Sequence, residues 1–168
     1  MQVGPIRLPF VSGPLPSGAA LLAIRMVMGP MLAYHGWQKL DNIGKFVATV
    51  DRYGFPLPEL LARATIAIEL VGGICLTVGL LTRLWGALAT LQFLLIVAKV
   101  KWDVGVFGQP GRNGFELDLF YAVTAAALLI AGPGQLALDH VLGLEADPRA
   151  GVHESDEAGV RAEARSVG

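Results

Sequence analysis

The chain has 168 residues, of which 54% are hydrophobic and 16% are charged, whereas soluble domains carry about 25% charged residues. This composition indicates a protein whose solvent is lipid. The formal net charge of -1 excludes the basic field that drives binding to nucleic acid. The chain has one cysteine, Cys75, which excludes an intrachain disulfide, a CxxC pair and a cysteine zinc site.

The two ends of the chain are predicted to lie outside the folded domain. Residues 1–17 carry four prolines and lack the compact charged, apolar and cleavage regions of a signal peptide, which indicates a retained N-terminal tail. Residues 145–168 are charged and weakly apolar, which predicts a disordered tail. The intervening residues, 18–144, are expected to form one membrane domain.

Four apolar segments between the tails approach the length of about 20 residues that a helix needs to cross a bilayer. They are residues 18–40, 59–81, 83–102 and 114–131. The short link between the second and third segments predicts an antiparallel hairpin. We therefore expect an all-α integral membrane four-helix bundle with both termini on one side. The alternative is a soluble helical bundle with a buried hairpin.

The segments between and after these helices are polar or are broken by glycine and proline. Residues 41–58 are predicted as a polar loop in which Pro58 opens the second helix. The run Gly132-Pro133-Gly134 ends the fourth helix. Residues 135–144 are predicted to form a short interfacial helix. Its apolar face would contain Leu136, Leu138, Val141 and Leu142.

Glu69 lies near the middle of the second apolar segment, about 15 Å from either end at the helical rise. A charge at that depth costs at least about 2.5 kcal/mol, so Glu69 should face the bundle interior, either protonated or paired. Antiparallel packing brings Arg25 and His35 to either side of its level, and either residue could be the partner. A clamp between two helices and a functional site explain this arrangement equally well.

A second group of polar residues gathers at one end of the bundle. His35, Gln38 and Lys39 share a helical face because they lie three and four residues apart. Antiparallel packing places four more charged residues in the same leaflet. These are Lys99, Lys101, Glu116 and Asp118.

This polar group could hold a polar headgroup or a quinone carbonyl, with nearby aromatic rings as flat apolar walls. The rings are those of Tyr34, Trp37 and Trp102. The alternative is that the aromatic residues and lysines anchor helix ends at the interface and that the acids favour the positive end of a helix dipole. No metal site is predicted, because only one histidine lies within the spans. Gly72 and Gly73 suit close helix contact and would also permit a homo-oligomer.

Several short runs occur together in one order along the chain. They are Arg25, His35-Gly36-Trp37-Gln38-Lys39-Leu40, Gly54-Phe55-Pro56-Leu57-Pro58, Glu69-Leu70-Val71-Gly72-Gly73, Gly79-Leu80-Leu81-Thr82-Arg83 and Gly132-Pro133-Gly134, followed by Ala137-Leu138-Asp139. In this combination, residues 19–143 resemble the DoxX family of small bacterial membrane proteins. The third helix of many relatives ends in a histidine, where this chain has Lys99 and Lys101.

The resemblance implies a four-helix protein related to the small subunit of archaeal thiosulfate:quinone oxidoreductase, multi-pass in the bacterial inner (plasma) membrane. It implies a membrane subunit of an oxidoreductase system that handles quinone or protons and docks a soluble redox or sulfur-handling protein. The candidate catalytic residues are Glu69 and His35. The candidate cofactor-binding residues are Arg25, Gln38, Lys39, Lys99 and Glu116.

The alternative function is a non-enzymatic membrane scaffold or a small-solute transporter, in which the same polar residues hold helices together or form a gate. The sequence has no dithiol, haem-ligand pair or nucleotide fingerprint, so catalysis would need a borrowed redox carrier. The sequence leaves open whether the chain itself is an enzyme. It also leaves open the direction of insertion, because the loop lysines and arginines differ little between the two sides.

Overall fold

The computed structural model describes residues 17–144 and shows an all-helical fold in this part of the chain. Three helical stretches are long and apolar enough to cross a membrane, and these are Gly18–Asp41, Pro58–Val78 and Thr82–Lys101. The prediction of an all-α integral membrane bundle is confirmed. The predicted tails, residues 1–17 and 145–168, lie outside the described residues except for Ser17. The helices are α1 (Ser17–Asp41), α2 (Ile43–Arg52), α3 (Pro58–Val78), α4 (Thr82–Ile96), α5 (Glu116–Ala131) and α6 (Leu138–Val141), and α4 continues into a π-helical turn, Val97–Lys101.

The outer faces of the long helices carry large apolar side chains. Such a surface suits lipid, because a soluble protein rarely exposes a contiguous apolar area of this extent. The exposed residues include Val27, Ile74, Leu91 and Val123. The chain is therefore in contact with the bilayer, as predicted.

α1 and α3 pack against each other at glycines. A Cβ atom on Gly73 would lie 2.7 Å from the carbonyl oxygen of Gly29, closer than real Cβ atoms come. Gly36 lies similarly close to the backbone of Leu70. The expected close contact of Gly73 is confirmed, while Gly72 faces the ring of Trp85 on α4.

α4 and α5 run antiparallel along almost their full length. Lys101 pairs with Asp118 at one end, while the Arg83 guanidinium donates to the carbonyl oxygens of Leu129 (2.8 Å) and Ile130 (3.2 Å) at the other. α5 has 16 residues and a length of about 24 Å, so it is shorter than the three long spans. A fourth crossing of the membrane stays a prediction.

The buried core lies where α1, α3, α4 and α5 meet. Its members are mostly aliphatic, with two aromatic rings on α4 and α5. They are Met28, Leu32, Leu76, Ala89, Phe93, Tyr121, Ala122, Ala125 and Leu128.

The predicted hairpin between α3 and α4 is confirmed. Its link contains Gly79 and Leu81, whose φ angles of 75° and 50° are left-handed. The buried carboxylate of Asp139, on α6, accepts hydrogen bonds from the backbone N–H groups of Leu81 (2.6 Å) and Thr82 (2.9 Å). A carboxylate is favoured at the N-terminal end of a helix, so Asp139 caps α4 from a distant part of the chain.

The loop between α4 and α5 is closed by the ion pair of Asp103 with Arg112 (2.9 Å). The same two side chains share a hydrogen bond, and this bond lowers the pKa of Asp103 below its ordinary value because it stabilises the carboxylate. The loop therefore has its own polar contacts outside the membrane spans.

Two connecting segments differ from the sequence prediction. The expected loop at 41–58 contains α2, because the apolar residues at 43, 46, 47 and 50 fall on one face of a helix. The expected interfacial helix at 135–144 is a single turn, Leu138–Val141. The hydrogen bonds that Asp139 accepts from the backbone at the start of α4 position this segment. Its predicted apolar face is exposed at Leu136, Leu138, Val141 and Leu142.

Candidate functional site

The carboxylate of Glu69 is buried at the meeting point of three helices. The side chain lies on α3 and is 1% exposed. Lys39, near the end of α1, hydrogen-bonds to both carboxylate oxygens. From α4, the Gln92 amide nitrogen donates to Oε1 of Glu69 at 2.7 Å. The prediction that Glu69 faces the bundle interior is confirmed, and its charge is paired.

The partner of Glu69 is Lys39 rather than Arg25 or His35. Close packing places Gly36 of α1 level with Glu69 and Leu70. Lys39 lies about one turn beyond Gly36, and side chains on a helix lean toward its N-terminus. The long lysine side chain therefore leans back toward the level of Glu69.

His35 has the right depth but faces a different helix. Its ring contacts the Tyr121 ring of α5 edge-on, with the two centroids 6.1 Å apart. Tyr121 in turn stacks on Phe93, with 4.9 Å between centroids. Tyr121 and Glu69 are both buried. Among the described residues, His35 does not hydrogen-bond to Glu69.

Arg25 lies toward the opposite end of the bundle. It is 1% exposed, and its guanidinium donates to the carbonyl oxygen of Leu136. It also lies against Gly79, at the end of α3. Arg25 therefore holds the segment before α6 against the hairpin, and the structure does not bring it to Glu69.

A cavity of about 560 Å³ lies beside the Glu69 pair, between α2, α3 and α4. Most of its wall is apolar, with side chains such as Phe46, Ile68 and Leu95. Charged or amide side chains reach it from the two partners of Glu69 and from the ion pair of Lys101 with Asp118. These are Lys39, Gln92, Lys101 and Asp118. Ligand sites in proteins commonly combine apolar walls with a few placed polar groups, at volumes of about 300–1,000 Å³.

The pair formed by Lys101 and Asp118 confirms that the end of the third apolar segment meets the start of the fourth. Lys101 also donates to the carbonyl oxygen of Gly114 at 3.4 Å. Asp118, which was predicted to belong to the polar group at this end of the bundle, is buried. The polar group predicted at one end of the bundle therefore exists, with Asp118 on its buried side.

The remaining candidate residues lie around this centre. Lys99 is exposed and its ammonium lies 5.7 Å from the centroid of Phe55, which lines the cavity. Glu116 is exposed at the start of α5. Gln38 and His35 line a shallow groove on the other side of Lys39. The structure thus brings Lys39 to Glu69 and leaves Lys99, Glu116 and Gln38 at the periphery.

Gln92 is the main residue that the sequence reasoning missed. It is buried, and its Oε1 atom has no hydrogen-bonding partner among the described residues. Gln92 could have been predicted from the sequence, because a polar amide inside an apolar span is unusual and should face the bundle interior, as a carboxyl does.

Comparison with known proteins agrees with the resemblance described above. The family model of DoxX matches residues 20–102. A Bacillus subtilis (strain 168) protein named "Putative oxidoreductase CatD" is 30% identical over 119 residues, which is 70% of this chain and 83% of that protein. No solved structure matches the chain significantly. The match to CatD over most of its length, together with the family model, shows that this multi-pass membrane protein belongs to the DoxX family.

Proposed function

We propose that the chain is the membrane subunit of an oxidoreductase system and that it binds a quinone in the cavity beside Glu69. The observation that carries this proposal is the buried Glu69 carboxylate, whose partners Lys39 and Gln92 both line an apolar cavity of about 560 Å³. The name of the Bacillus subtilis relative supports an oxidoreductase role.

The residues around the cavity fit a quinone. A quinone needs flat apolar walls for its ring and hydrogen-bond donors for its carbonyl oxygens. Lys39 and Gln92 both line the cavity, and each carries N–H donors. Because the Gln92 Oε1 atom has no hydrogen-bonding partner within residues 17–144, it can accept a hydrogen bond from a hydroxyl group of the reduced ligand.

A bound quinone supplies the redox chemistry, since it takes up two electrons and two protons when it becomes a quinol. Glu69 lies one hydrogen bond from the cavity wall, through Lys39 and Gln92, so it is suited to hold a proton near that ring. Lys39 is the ion-pair partner of Glu69, and the Lys39 side chain is 27% exposed. Lys39 therefore links the buried carboxylate to the outer surface.

Electrons would come from a soluble partner, because the sequence contains one cysteine and no haem-ligand pair. The charged residues exposed at the cavity end of the bundle suit such a docking role. They include Lys45, Asp51, Arg52 and Asp103. The plasma membrane, where quinone pools lie in bacteria, is the proposed location.

The experiment measures quinone-dependent redox activity in membranes that contain the protein, Glu69→Gln or Glu59→Gln at equal abundance. Glu59 is an exposed residue on the same helix and pairs with Arg63 (2.7 Å), so it is a matched control for loss of one carboxylate. We expect Glu69→Gln to lower the activity by at least about a hundredfold, the lower end of the contribution of a positioned proton-transfer group. Activity that is equal in the two variants would remove Glu69 from the mechanism and favour a scaffold or a transporter.

A further inference from the structure

The cavity beside Glu69 is open on one side. Its lining residues on α2, such as Phe46 and Val50, are half-buried. Some of its lining residues on α3 and α4 are exposed instead, which shows that the wall is not closed there. These are Ala64, Leu91 and Leu95. The opening therefore lies along α3 and α4 rather than under α2.

This opening faces the hydrocarbon of the bilayer. α3 and α4 both belong to candidate spans, Pro58–Val78 and Thr82–Lys101. Ile68 lies at the middle of the first span and Leu91 at the middle of the second, and both residues line the cavity. The surface at the middle of a span meets acyl chains rather than water. A ligand therefore reaches the cavity at this level from the lipid.

The polar and aliphatic parts of the wall are separated along α4. The polar groups of this helix occur from Gln92 to the end of the span, where Lys101 pairs with Asp118. Leu88 and Leu91, which carry no polar group, line the cavity at and before the middle of the span. A ligand whose polar ring binds near Gln92 and Lys101 would therefore place its apolar part at the mid-span end.

The length of the cavity exceeds what one ring requires. Its lining on α4 extends from Leu88 to Lys101, about 20 Å at the helical rise. A single quinone ring occupies only part of this length. Since a ligand site buries most of the surface of its ligand, the remaining apolar wall suits a flexible hydrocarbon chain.

We propose that the ligand is a quinone with a long prenyl tail, and that it enters from the bilayer through the opening lined by Ala64, Leu91 and Leu95. The ring binds at the polar part of the wall, and the tail stays in the opening and extends into the lipid. This inference rests on the proposed function, since the ring is the quinone proposed above. It adds the tail and the route of entry.

The test compares two quinones in equilibrium binding to the purified full chain in micelles. They are a long-tailed menaquinone and menadione, which has the same ring and no tail. The variant is Leu91→Trp and the control is Leu94→Trp. Leu91 and Leu94 are 58% and 47% exposed on the same helix, and of these two only Leu91 lines the cavity.

We expect Leu91→Trp to weaken menaquinone binding by at least about fivefold, because the added ring fills the opening that the tail uses. Menadione binding should change by less than about twofold in both variants, and so should menaquinone binding in Leu94→Trp, as for a surface substitution. Comparing each variant with the parent for the same quinone removes the effect of unequal partition into the micelle.

The outcomes separate this inference from the proposed function. If Leu91→Trp weakens both quinones equally, Leu91 contacts the ring, which overturns the tail route and leaves the quinone site in place. Equal effects of Leu91→Trp and Leu94→Trp on menaquinone would also overturn the route. Failure of the parent to bind either quinone would refute the proposed function, and the inference with it.

A second pair of variants covers the case in which Leu91→Trp does not fold, as judged by circular dichroism. Ala64→Phe narrows the same opening from α3, and Ala67→Phe is its control. Both alanines are exposed, and of the two only Ala64 lines the cavity. The same selective loss of menaquinone binding is expected for Ala64→Phe, and its absence would overturn the route.

Discussion

Glu69 and Lys39 are unevenly buried, and the two ends of their ion pair should respond differently to substitution. Glu69 has 1% of its side chain exposed, whereas Lys39 has 27%. Lys39→Met would leave a carboxylate buried without its cation, and breaking such a pair costs about 3–5 kcal/mol. Glu69→Gln would keep an acceptor for Gln92, and the ammonium that it leaves can reach water. We therefore expect Glu69→Gln to lower the free energy of unfolding by less, about 1–3 kcal/mol.

The measurement for this pair is a double-mutant cycle on unfolding in detergent micelles. The double variant, Lys39→Met with Glu69→Gln, should be less destabilised than the sum of the two single variants, because it removes both charges together. Additive losses would show that the two side chains do not stabilise each other.

The sequence predicted Glu69 as the centre of the site, but not that Lys39 and Gln92 are its hydrogen-bonding partners. Glu69 stands out because a carboxyl in the middle of an apolar span has to face the interior. The choice of Lys39 depends on how far α1 slides along α3, and this is decided by the glycine contacts. No pattern in one sequence gives that register. Gln92 could have been found by the same rule as Glu69.

At the scale of helices, the close contact between α1 and α3 depends on glycines, which have no side chain to hold the two backbones apart. Gly73→Ala would place a Cβ atom 2.7 Å from the carbonyl oxygen of Gly29 and 2.9 Å from the Cα atom of Ala33. Both contacts are with backbone, which cannot rotate away. We expect a loss of about 1–3 kcal/mol in the free energy of unfolding, as for other overpacked interiors.

Gly44→Ala is the matched control for this substitution. Gly44 lies inside α2, and an added Cβ there meets nothing within 4 Å. Alanine is favoured over glycine in a helix by about 0.5–1 kcal/mol, so this variant should be as stable as the parent or slightly more so. Thermal unfolding of both variants in micelles makes the comparison. Equal stability of the two variants would mean that α1 and α3 move apart at little cost.

The long helices could be predicted from the sequence because each is a nearly continuous apolar run. α2 could not be recognised by that criterion, since it has 10 residues and no buried side chain. Its signal is the spacing of apolar residues on one face, which is easily missed inside a polar loop. α6 is reduced to one turn because Asp139 takes part in a contact between distant segments, which local sequence does not show.

At the scale of the whole molecule, the number of crossings decides on which side the C-terminal part lies. α5 follows α4 from the pair of Lys101 with Asp118 to the contact of Arg83 with Leu129. Since α4 and its π-helical turn form a candidate span, a helix that runs beside it from end to end should cross the same thickness. Asp139 also contacts Leu81, at the far end of α4. We therefore predict that α5 is a fourth crossing.

Single-cysteine labelling in a Cys75→Ser background tests this topology. The exposed positions are Ala48 in α2, Asn113 before α5 and His140 after it, each changed to cysteine. We expect Ala48→Cys and Asn113→Cys to react with a membrane-impermeant maleimide from one side and His140→Cys from the other. Four crossings require this result, because an odd number of crossings separates residue 113 from residue 140. Labelling of His140→Cys from the same side as Asn113→Cys would instead mean that α5 enters the bundle without crossing the bilayer, and the bond between Asp139 and Leu81 could then not form across it.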